Sequence, residues 1–331
     1  MKLVKWLSIF IVMCGVLSVV ILYHFDKEVH QTINLTKATI YQVKSGQSAK
    51  GLLNRLKERG IISENLGLKI RVKLDPELAN VKVGTYELLP SMSGLDLLKL
   101  FSSGKELQFS ISLIEGLNWR EWLLVLKSHP EIIFNDEFQP QLEILSSQLP
   151  QQSIEGYLLP DTYYFVAQTE AIELVKRAHT SMHQYLHIAW QNRALNLPYD
   201  SAYEGLTMAS IIEKETGVAD ERPRISGVFV NRLNLNMRLQ TDPTVIYGIG
   251  ERFDGDIRRK DLRTPTPYNT YVIKGLPPTP IAMPSKLAID AAFNPLTTEA
   301  LYFVSKGDGS HKFSNTLQEH NLAVRKYQLK K

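Results

Sequence analysis

The chain has 331 residues, of which 44% are apolar, so it is long enough to bury a substantial core and to form about two domains. Its formal charge of +4 comes from 38 basic and 34 acidic residues that are interspersed along the chain. This mixed pattern has no extended basic stripe of the kind that binds nucleic acid, so we expect no nucleic-acid partner.

The N-terminal residues predict a membrane anchor. Lys2 and Lys5 precede an apolar run over residues 6–23 that is about long enough to cross a bilayer. The run ends in bulky residues rather than a small-residue cleavage site, so we expect residues 1–24 to remain as a single-pass helix. The two lysines favour a cytoplasmic N-terminus. The rest of the chain is then expected across the membrane, which in a bacterial cell with an inner membrane anchor means the periplasm or outer surface.

The only cysteine, Cys14, lies within this anchor, so the exported part can form no internal disulfide. Lipid attachment at Cys14 is disfavoured, because Met13 is a poor match to the small residue expected before such a cysteine. The apolar run also continues well past it.

The next segments predict a spacer and a small module. Residues 25–38 are polar and predict a linker. Residues 39–105 contain two successive patterns of alternating apolar residues followed by apolar residues at helical spacing, which predict a small α+β module. Residues 106–200 predict a connecting region of strand and helices. A break at 198–200 then precedes residues 201–331, the predicted catalytic domain.

A well-bounded helix is predicted at the start of that domain. Ser201 and Glu204 have the spacing of a capping box, and Gly217 is a natural stop, so the helix should cover residues 202–216. It contains the stretch "ASIIEKET" (209–216), in which two glutamates stand two positions apart beside aliphatic residues.

Helical phase selects the second of these glutamates. At 100° per residue, Glu213 lies about 140° from the apolar stripe, whereas Glu215 lies on it. The stripe consists of Met208, Ile211, Ile212, Val218 and Ala219.

This position favours a neutral carboxyl group. Burial among apolar side chains and the negative end of the helix dipole both raise the pKa of a carboxyl at Glu215, as a general acid requires. Glu213 is expected to support it by pairing or hydrogen bonding. The alternative is that Glu215 is a helix-end residue that reaches water, Arg222 or Arg224.

The segments that follow carry amide, hydroxyl and tyrosine side chains typical of sugar-binding sites. They include Asn231, Gln240, Asp242, Tyr247 and Asn269. Taken singly, each of the polar residues also fits a simpler role in shaping a turn.

Six stretches together resemble the YceG-like (MltG) family of endolytic murein transglycosylases. The resemblance covers nearly the whole chain and is weakest over residues 120–200. The stretches are "EGYLLPDTY" (155–163), "ASIIEKET" (209–216), "VNRL…MRLQTDPTVIYG" (230–248), "TPYNTY" (266–271), "GLPPTPIA" (275–282) and "HKFSNTLQEHN" (311–321).

The resemblance implies an α+β protein with an N-terminal transmembrane helix, a small LysM-like module over about residues 39–105, and a larger mixed α/β catalytic domain. It implies a lytic transglycosylase that cuts peptidoglycan glycan strands internally at the MurNAc–GlcNAc bond and leaves anhydro-MurNAc ends. Glycan strands are the expected substrate and peptidoglycan synthases an expected partner class. No cofactor or metal is expected.

By the same resemblance Glu215 is the catalytic residue, acting first as acid and then as base. Glu213 supports it. The residues expected to line the glycan groove are Asn231, Gln240, Asp242, Tyr247, Asn269 and His311.

Two other functions stay open on the residues alone. One is a hydrolytic muramidase that uses Glu215 together with Asp242 as a carboxylate pair. The other is a non-catalytic scaffold that binds the cell wall. A zinc site at His179, His183 and His187 is disfavoured, because no acidic or cysteine ligand accompanies the three histidines in a known pattern.

Overall fold

The structure is a computed structural model that describes residues 2–329. The chain folds into two compact units, one made of Met1–Phe109 with Tyr164–Ala167 and the other of Ser110–Tyr163 with Gln168–Lys331. Both contain helices and short strands, so the predicted mixed α+β class is confirmed. The finer division of the chain at residues 105 and 200 stays a prediction.

The first unit joins a long apolar helix to a small α+β module. Residues Lys5–His30 of the helix are long and apolar enough to cross a membrane, judged by length and composition. In the module the two strands pair antiparallel, with Tyr41 opposite Tyr86. The elements are α1 (Lys2–His30), β1 (Thr39–Val43), α2 (Ala49–Glu58), α3 (Leu66–Leu74), β2 (Gly84–Leu88) and α4 (Gly94–Ser103).

The two strands and the helices around them share one hydrophobic core. Leucines at helical spacing on α2 and α4 pack into one core with the inner faces of both strands. Ser93 and Asp96 form a capping box that starts α4, and Gly104 ends it in the left-handed conformation that glycine adopts without strain.

The residues predicted as a spacer are part of this core. Helix α1 continues to His30, and Val29 and Ile33 are buried with the module's leucines. The backbone N–H of Ile33 donates to Met92 O at 2.9 Å. The prediction of a polar linker over 25–38 was therefore wrong in this part, because two apolar residues four positions apart were not read as a packing face.

The second unit holds most of the helices. Strand β4 pairs parallel with β6, and β7 pairs antiparallel with β8, with Phe303 opposite Phe313. Strand β3 pairs with β5. The elements that follow α4 in the chain, of which β3 and β5 also contain residues of the first unit, are β3 (Gln108–Leu113), α5 (Trp119–Ser128), β4 (Ile132–Ile133), α6 (Phe138–Ser147), β5 (Asp161–Val166), β6 (Thr169–Glu170), α7 (Ala171–Gln191), α8 (Ala202–Glu215), α9 (Arg222–Asn234), α10 (Asp242–Ile249), α11 (Lys286–Phe293), β7 (Tyr302–Ser305), β8 (His311–Ser314) and α12 (Leu317–Tyr327).

Helix α8 is the centre of this unit. Every residue from Gly205 to Glu213 is buried, so the helix is covered on all sides rather than along one stripe. It ends at Glu215, and Val218 lies outside it with 37% of its surface exposed. The predicted stripe was therefore wrong as a description of the helix, because phase distinguishes faces only when one face meets water.

Close packing at the start of α8 depends on a glycine. A β-carbon built on Gly205 would lie 2.2 Å from a ring carbon of Phe293 on α11. Both residues are within the buried region of the unit, so the ring has no free space to move into. The absence of a side chain at position 205 lets α8 and α11 approach.

We expect Gly205→Ala to destabilise the protein, although alanine favours a helix by up to about 1 kcal/mol over glycine. Overpacking of this kind costs about 1–3 kcal/mol or more, so the clash outweighs the gain. The measurement is urea unfolding of the full-length protein in detergent. The control is Gly217→Ala, where a β-carbon meets nothing within 4 Å. Equal stability of the two variants would show that α11 can shift to accommodate the extra methyl group without a loss of stability.

Candidate active site

The end of α8 opens into a cavity of about 510 Å³. Four residues singled out in the sequence line it: Glu215, Gln240, Asp242 and His311. They come from the end of α8, the segment before α10, the first residue of α10 and the first residue of β8. The fold thus brings together residues that are up to 96 positions apart, since 311 minus 215 is 96.

Glu215 is the carboxyl group withdrawn from water in this cavity. Its pKa is raised from the ordinary value of 4.5 to about 7, mainly by burial and in smaller part by the nearby Asp242. A hydrogen bond from the Thr241 hydroxyl to Oε1 and the electrostatic interactions with His311 and Arg232 lower the pKa. The balance leaves a carboxyl that changes protonation near neutral pH, as an acid–base catalyst requires.

The segment before α10 is held rigidly. The buried guanidinium group of Arg232 donates from Nη1 to Leu239 O at 2.6 Å and from Nε to Leu301 O at 2.6 Å. Gln240 adopts a φ of 52°, a left-handed conformation that is uncommon for a residue other than glycine, and its N–H donates to Thr270 O at 3.2 Å. The backbone at the cavity edge is therefore fixed by contacts from distant parts of the chain.

Two further pairs organise the polar wall of the cavity. The hydroxyl of Tyr271 donates to Asp242 Oδ1 at 2.7 Å. Glu221 accepts from the backbone N–H of His311 at 2.9 Å, and its second oxygen lies 2.7 Å from His311 Nδ1. The orientations of Asp242 and His311 are thus set before any ligand binds.

Glu213 points into a different environment from Glu215. One of its oxygens accepts from Arg222 Nη2 at 3.2 Å, in an ion pair whose two side chains are 4% and 8% exposed. Its other oxygen accepts from the N–H of Ser285 at 2.9 Å and from the Ser285 hydroxyl. These contacts tie α8 to the start of α9 and of α11, and they agree with the pairing expected for Glu213.

The structure places the other three predicted residues away from this cavity. The amide of Asn231 donates to Thr298 O at 2.7 Å and Ala300 O at 3.1 Å. The buried amide of Asn269 donates to two backbone carbonyls within its own loop. Both side chains thus hold the backbone in place, which is the simpler role in shaping turns that the sequence also allowed for them.

Tyr247 lines a second cavity, of about 800 Å³, in the same unit. Its hydroxyl donates at 3.1 Å to Glu155, which also accepts from the N–H of Trp119 at the start of α5. Burial raises the pKa of Glu155 to about 7. The centroid of the Tyr247 ring lies 5.0 Å from that of Tyr268.

Five residues that organise the two cavities were not among the predicted site residues: Thr241, Arg232, Tyr271, Glu221 and Glu155. Four of them lie within the stretches that carry the family resemblance. Their position in those stretches was the one sequence feature that could have indicated them. Glu221 lies in none of the six, and its pairing with His311 joins positions 90 residues apart.

A titratable carboxyl in an open polar cavity defines the site as a candidate for general acid–base chemistry. The chain belongs to the YceG-like family, whose family model matches residues 41–326. The residues that form the cavity lie within that range, except Gln328 at its edge.

The chain is similar in sequence to curated proteins whose names state an activity. The endolytic murein transglycosylase of Bacillus subtilis strain 168 is 30% identical over 334 residues, which cover 91% of this chain and 86% of that protein. The endolytic murein transglycosylase of Streptococcus pneumoniae strain R6 is 26% identical over 91% of this chain, and the match spans 60% of its length.

A solved structure has a similar fold. The crystal structure of a YceG-like protein from Listeria monocytogenes is 28% identical in sequence and superposes with a TM-score of 0.52. The match covers 86% of this chain and 99% of that one.

The raised pKa of Glu215 makes stability depend on pH. Below pH 4.5 both folded and unfolded chains hold the proton, and between pH 4.5 and about 7 only the folded chain does. Stability from this group is therefore present at low pH and is lost as pH rises through that window. Relative to Glu215→Gln, the wild type should lose on the order of 2 kcal/mol between about pH 5 and pH 8.

Chemical denaturation of both proteins at each pH measures this difference in the free energy of unfolding. The contribution from the titration of Glu155 is the same in both proteins and cancels in the difference. A gap that does not change with pH would show that Glu215 titrates at an ordinary pKa in the folded protein.

Proposed function

We propose that the protein is a lytic transglycosylase that cleaves peptidoglycan glycan strands internally and leaves anhydro-MurNAc ends. The observation that carries this proposal is Glu215, a carboxyl with a pKa raised to about 7 by burial, facing a cavity lined by hydrogen-bonding groups. The names of the relatives from Bacillus subtilis and Streptococcus pneumoniae support the same substrate class.

A single carboxyl is sufficient for this reaction. Protonated Glu215 donates its proton to the oxygen that bridges MurNAc and GlcNAc, and the bond to the anomeric carbon breaks. The resulting carboxylate then accepts the proton of the muramoyl 6-hydroxyl as that oxygen closes on the anomeric carbon. Water is not consumed, and the acetamido oxygen of the substrate can stabilise the cationic centre in place of an enzyme nucleophile.

The other cavity residues bind the strand in this proposal. Gln240, Asp242 and His311 offer amide, carboxylate and imidazole groups to sugar hydroxyl and acetamido groups. Tyr247 contributes a ring in the second cavity. Asn231 and Asn269 act indirectly by fixing the loops, and Glu213 supports α8 through its pair with Arg222.

We further propose that α1 anchors the protein in the bacterial inner membrane as a single-pass helix, with its N-terminus in the cytoplasm and the catalytic part in the periplasm. The module over residues 39–105 is proposed to be LysM-like, on the basis of its two-stranded antiparallel sheet with helices between the strands. Peptidoglycan synthases are the proposed partner class.

A hydrolytic muramidase is the second candidate, because Asp242 lines the same cavity as Glu215. In that mechanism the second carboxylate activates water or attacks the sugar directly. The products differ, since hydrolysis leaves reducing ends whereas the transglycosylase reaction leaves anhydro ends that are lighter by one water.

We expect the full-length protein to convert uncrosslinked glycan strands into shorter strands with anhydro-MurNAc ends, detected by mass spectrometry. Glu215→Gln keeps the shape of the side chain but cannot deliver or accept the proton, so activity should fall by about 100-fold or more. Glu173→Gln, which changes an exposed carboxylate on α7, is the matched control and should retain activity.

Reducing ends in the digest would favour the muramidase instead. A folded Glu215→Gln variant with wild-type activity would exclude Glu215 as the catalytic acid, and a wild-type protein that binds strands without cutting them would favour a scaffold.

Deletion of residues 1–24 should release the protein from the membrane fraction, because this segment carries the apolar run. The deletion stops before Val29, which packs in the core of the first unit. The full-length protein should stay in the pellet after a carbonate wash, and the shortened one should be recovered without detergent. Full-length protein in the soluble fraction would contradict the proposed anchor.

A further inference from the structure

Thr241 stands at the N-cap of α10 but does not act as a cap. Threonine at this position ordinarily accepts a hydrogen bond from a backbone N–H of the first helical turn. Ser285 and Thr316 do so at the starts of α11 and α12, whereas the Thr241 side chain makes no such bond. Its hydroxyl donates instead to Oε1 of Glu215.

The position of this hydroxyl is fixed by two other threonines. The N–H of Thr241 donates to Thr270 Oγ1 at 3.0 Å, and its carbonyl accepts from Thr244 Oγ1 at 2.8 Å. The hydroxyl oxygens of Thr244 and Thr270 are themselves 2.9 Å apart. All three residues are buried, so the donor that reaches Glu215 belongs to a rigid cluster.

A hydroxyl has one hydrogen, and a protonated carboxyl has one oxygen free to accept it. Because the Thr241 hydrogen is directed at Oε1, the proton of the neutral acid is left to Oε2. We propose that Thr241 is a positioning residue that holds the Glu215 side chain and assigns Oε2 as the oxygen that carries the transferable proton. This inference rests on the proposed function of Glu215.

The proton balance is simple. The proton leaves Oε2 for the bridging oxygen of the substrate while Thr241 stays bonded to Oε1. In the second half of the reaction Oε2 takes the proton from the 6-hydroxyl, so one oxygen serves as both acid and base. The carboxyl group does not have to rotate between the two steps.

Several other groups face Glu215 and act on its charge. Asp242 at the start of α10 disfavours the anion, and His311 on β8 and Arg232 on α9 favour it. Tyr271 also interacts with Glu215 from the loop before α11. Thr241 differs from these groups because it contacts one chosen oxygen, and its donation stabilises the ionised form.

The test compares Thr241→Val, which has nearly the same shape without the donor, with Thr241→Ser, which keeps the donor. The readout is kcat/KM on glycan strands as a function of pH, which reports groups on the free enzyme. Loss of the donor should move the descending limb of the profile to higher pH by about one to two units. It should also lower kcat at the wild-type optimum by about tenfold or more, because the carboxyl is no longer held in one orientation.

Thr241→Ser should restore the wild-type profile. The matched control is Thr207→Val, which removes another buried threonine hydroxyl, one that donates to Tyr203 O at 2.9 Å within α8. It should leave the position of the limb unchanged. If Thr241→Val does not fold, as judged by circular dichroism, Thr241→Ala removes the same donor with a smaller side chain.

A folded Thr241→Val or Thr241→Ala variant with the wild-type profile would overturn the inference, as would an equal shift in Thr207→Val. Glu215→Gln distinguishes a failure of the proposed function of Glu215 from a failure of the proposed role of Thr241. If Glu215→Gln is active, the proposed function of Glu215 fails. If it is inactive while the loss of the Thr241 donor has no effect on the profile, only the role of Thr241 fails.

Discussion

The hydrogen bond from Thr241 to Glu215 joins the end of α8 to the start of α10, and the protonation of Glu215 depends on it. Partial burial withdraws Glu215 from much of the water that would otherwise stabilise the carboxylate, and Asp242 adds a second negative charge nearby. Without this donor the pKa of Glu215 would lie higher. With a single donor, and with His311 and Arg232 at a distance, the pKa settles at about 7.

Holding this carboxyl in a partly buried site costs folding stability, and packing in the rest of the unit offsets that cost. An acid that prefers to be ionised in water is held where ionisation is disfavoured, so the stability that this group contributes falls as the pH rises toward neutrality. Helix α8 can carry this residue because it is packed on all sides and because Glu213, two positions earlier, is paired with Arg222 and Ser285. Glu213 thus joins three helices together while Glu215 faces the cavity.

Much of the local structure could be predicted from the sequence, and contacts between distant residues could not. Ser201 and Gly217 bounded α8 closely because capping depends on neighbours in the chain. Among the cavity residues, His311 was predicted from a family resemblance alone, whereas Gln240 and Asp242 also belong to a polar pattern typical of sugar-binding sites.

Sequence alone did not show which amides are free. Asn231 and Asn269 look like sugar ligands, but the fold commits their amide groups to backbone carbonyls. Helical phase was equally limited, since it assumes that one face of α8 meets water and the structure covers every face. The packing role of Val29 and Ile33 escaped notice because the surrounding residues are polar.

The most direct measurement is the protonation state of Glu215 itself. It is monitored across a pH titration by the infrared difference spectrum between the wild type and Glu215→Gln. The carboxyl C=O band missing from the variant should disappear with a midpoint near pH 7, the pKa given by the buried environment. A midpoint near the ordinary value of 4.5 would mean that Glu215 is ionised at neutral pH and cannot serve as the acid.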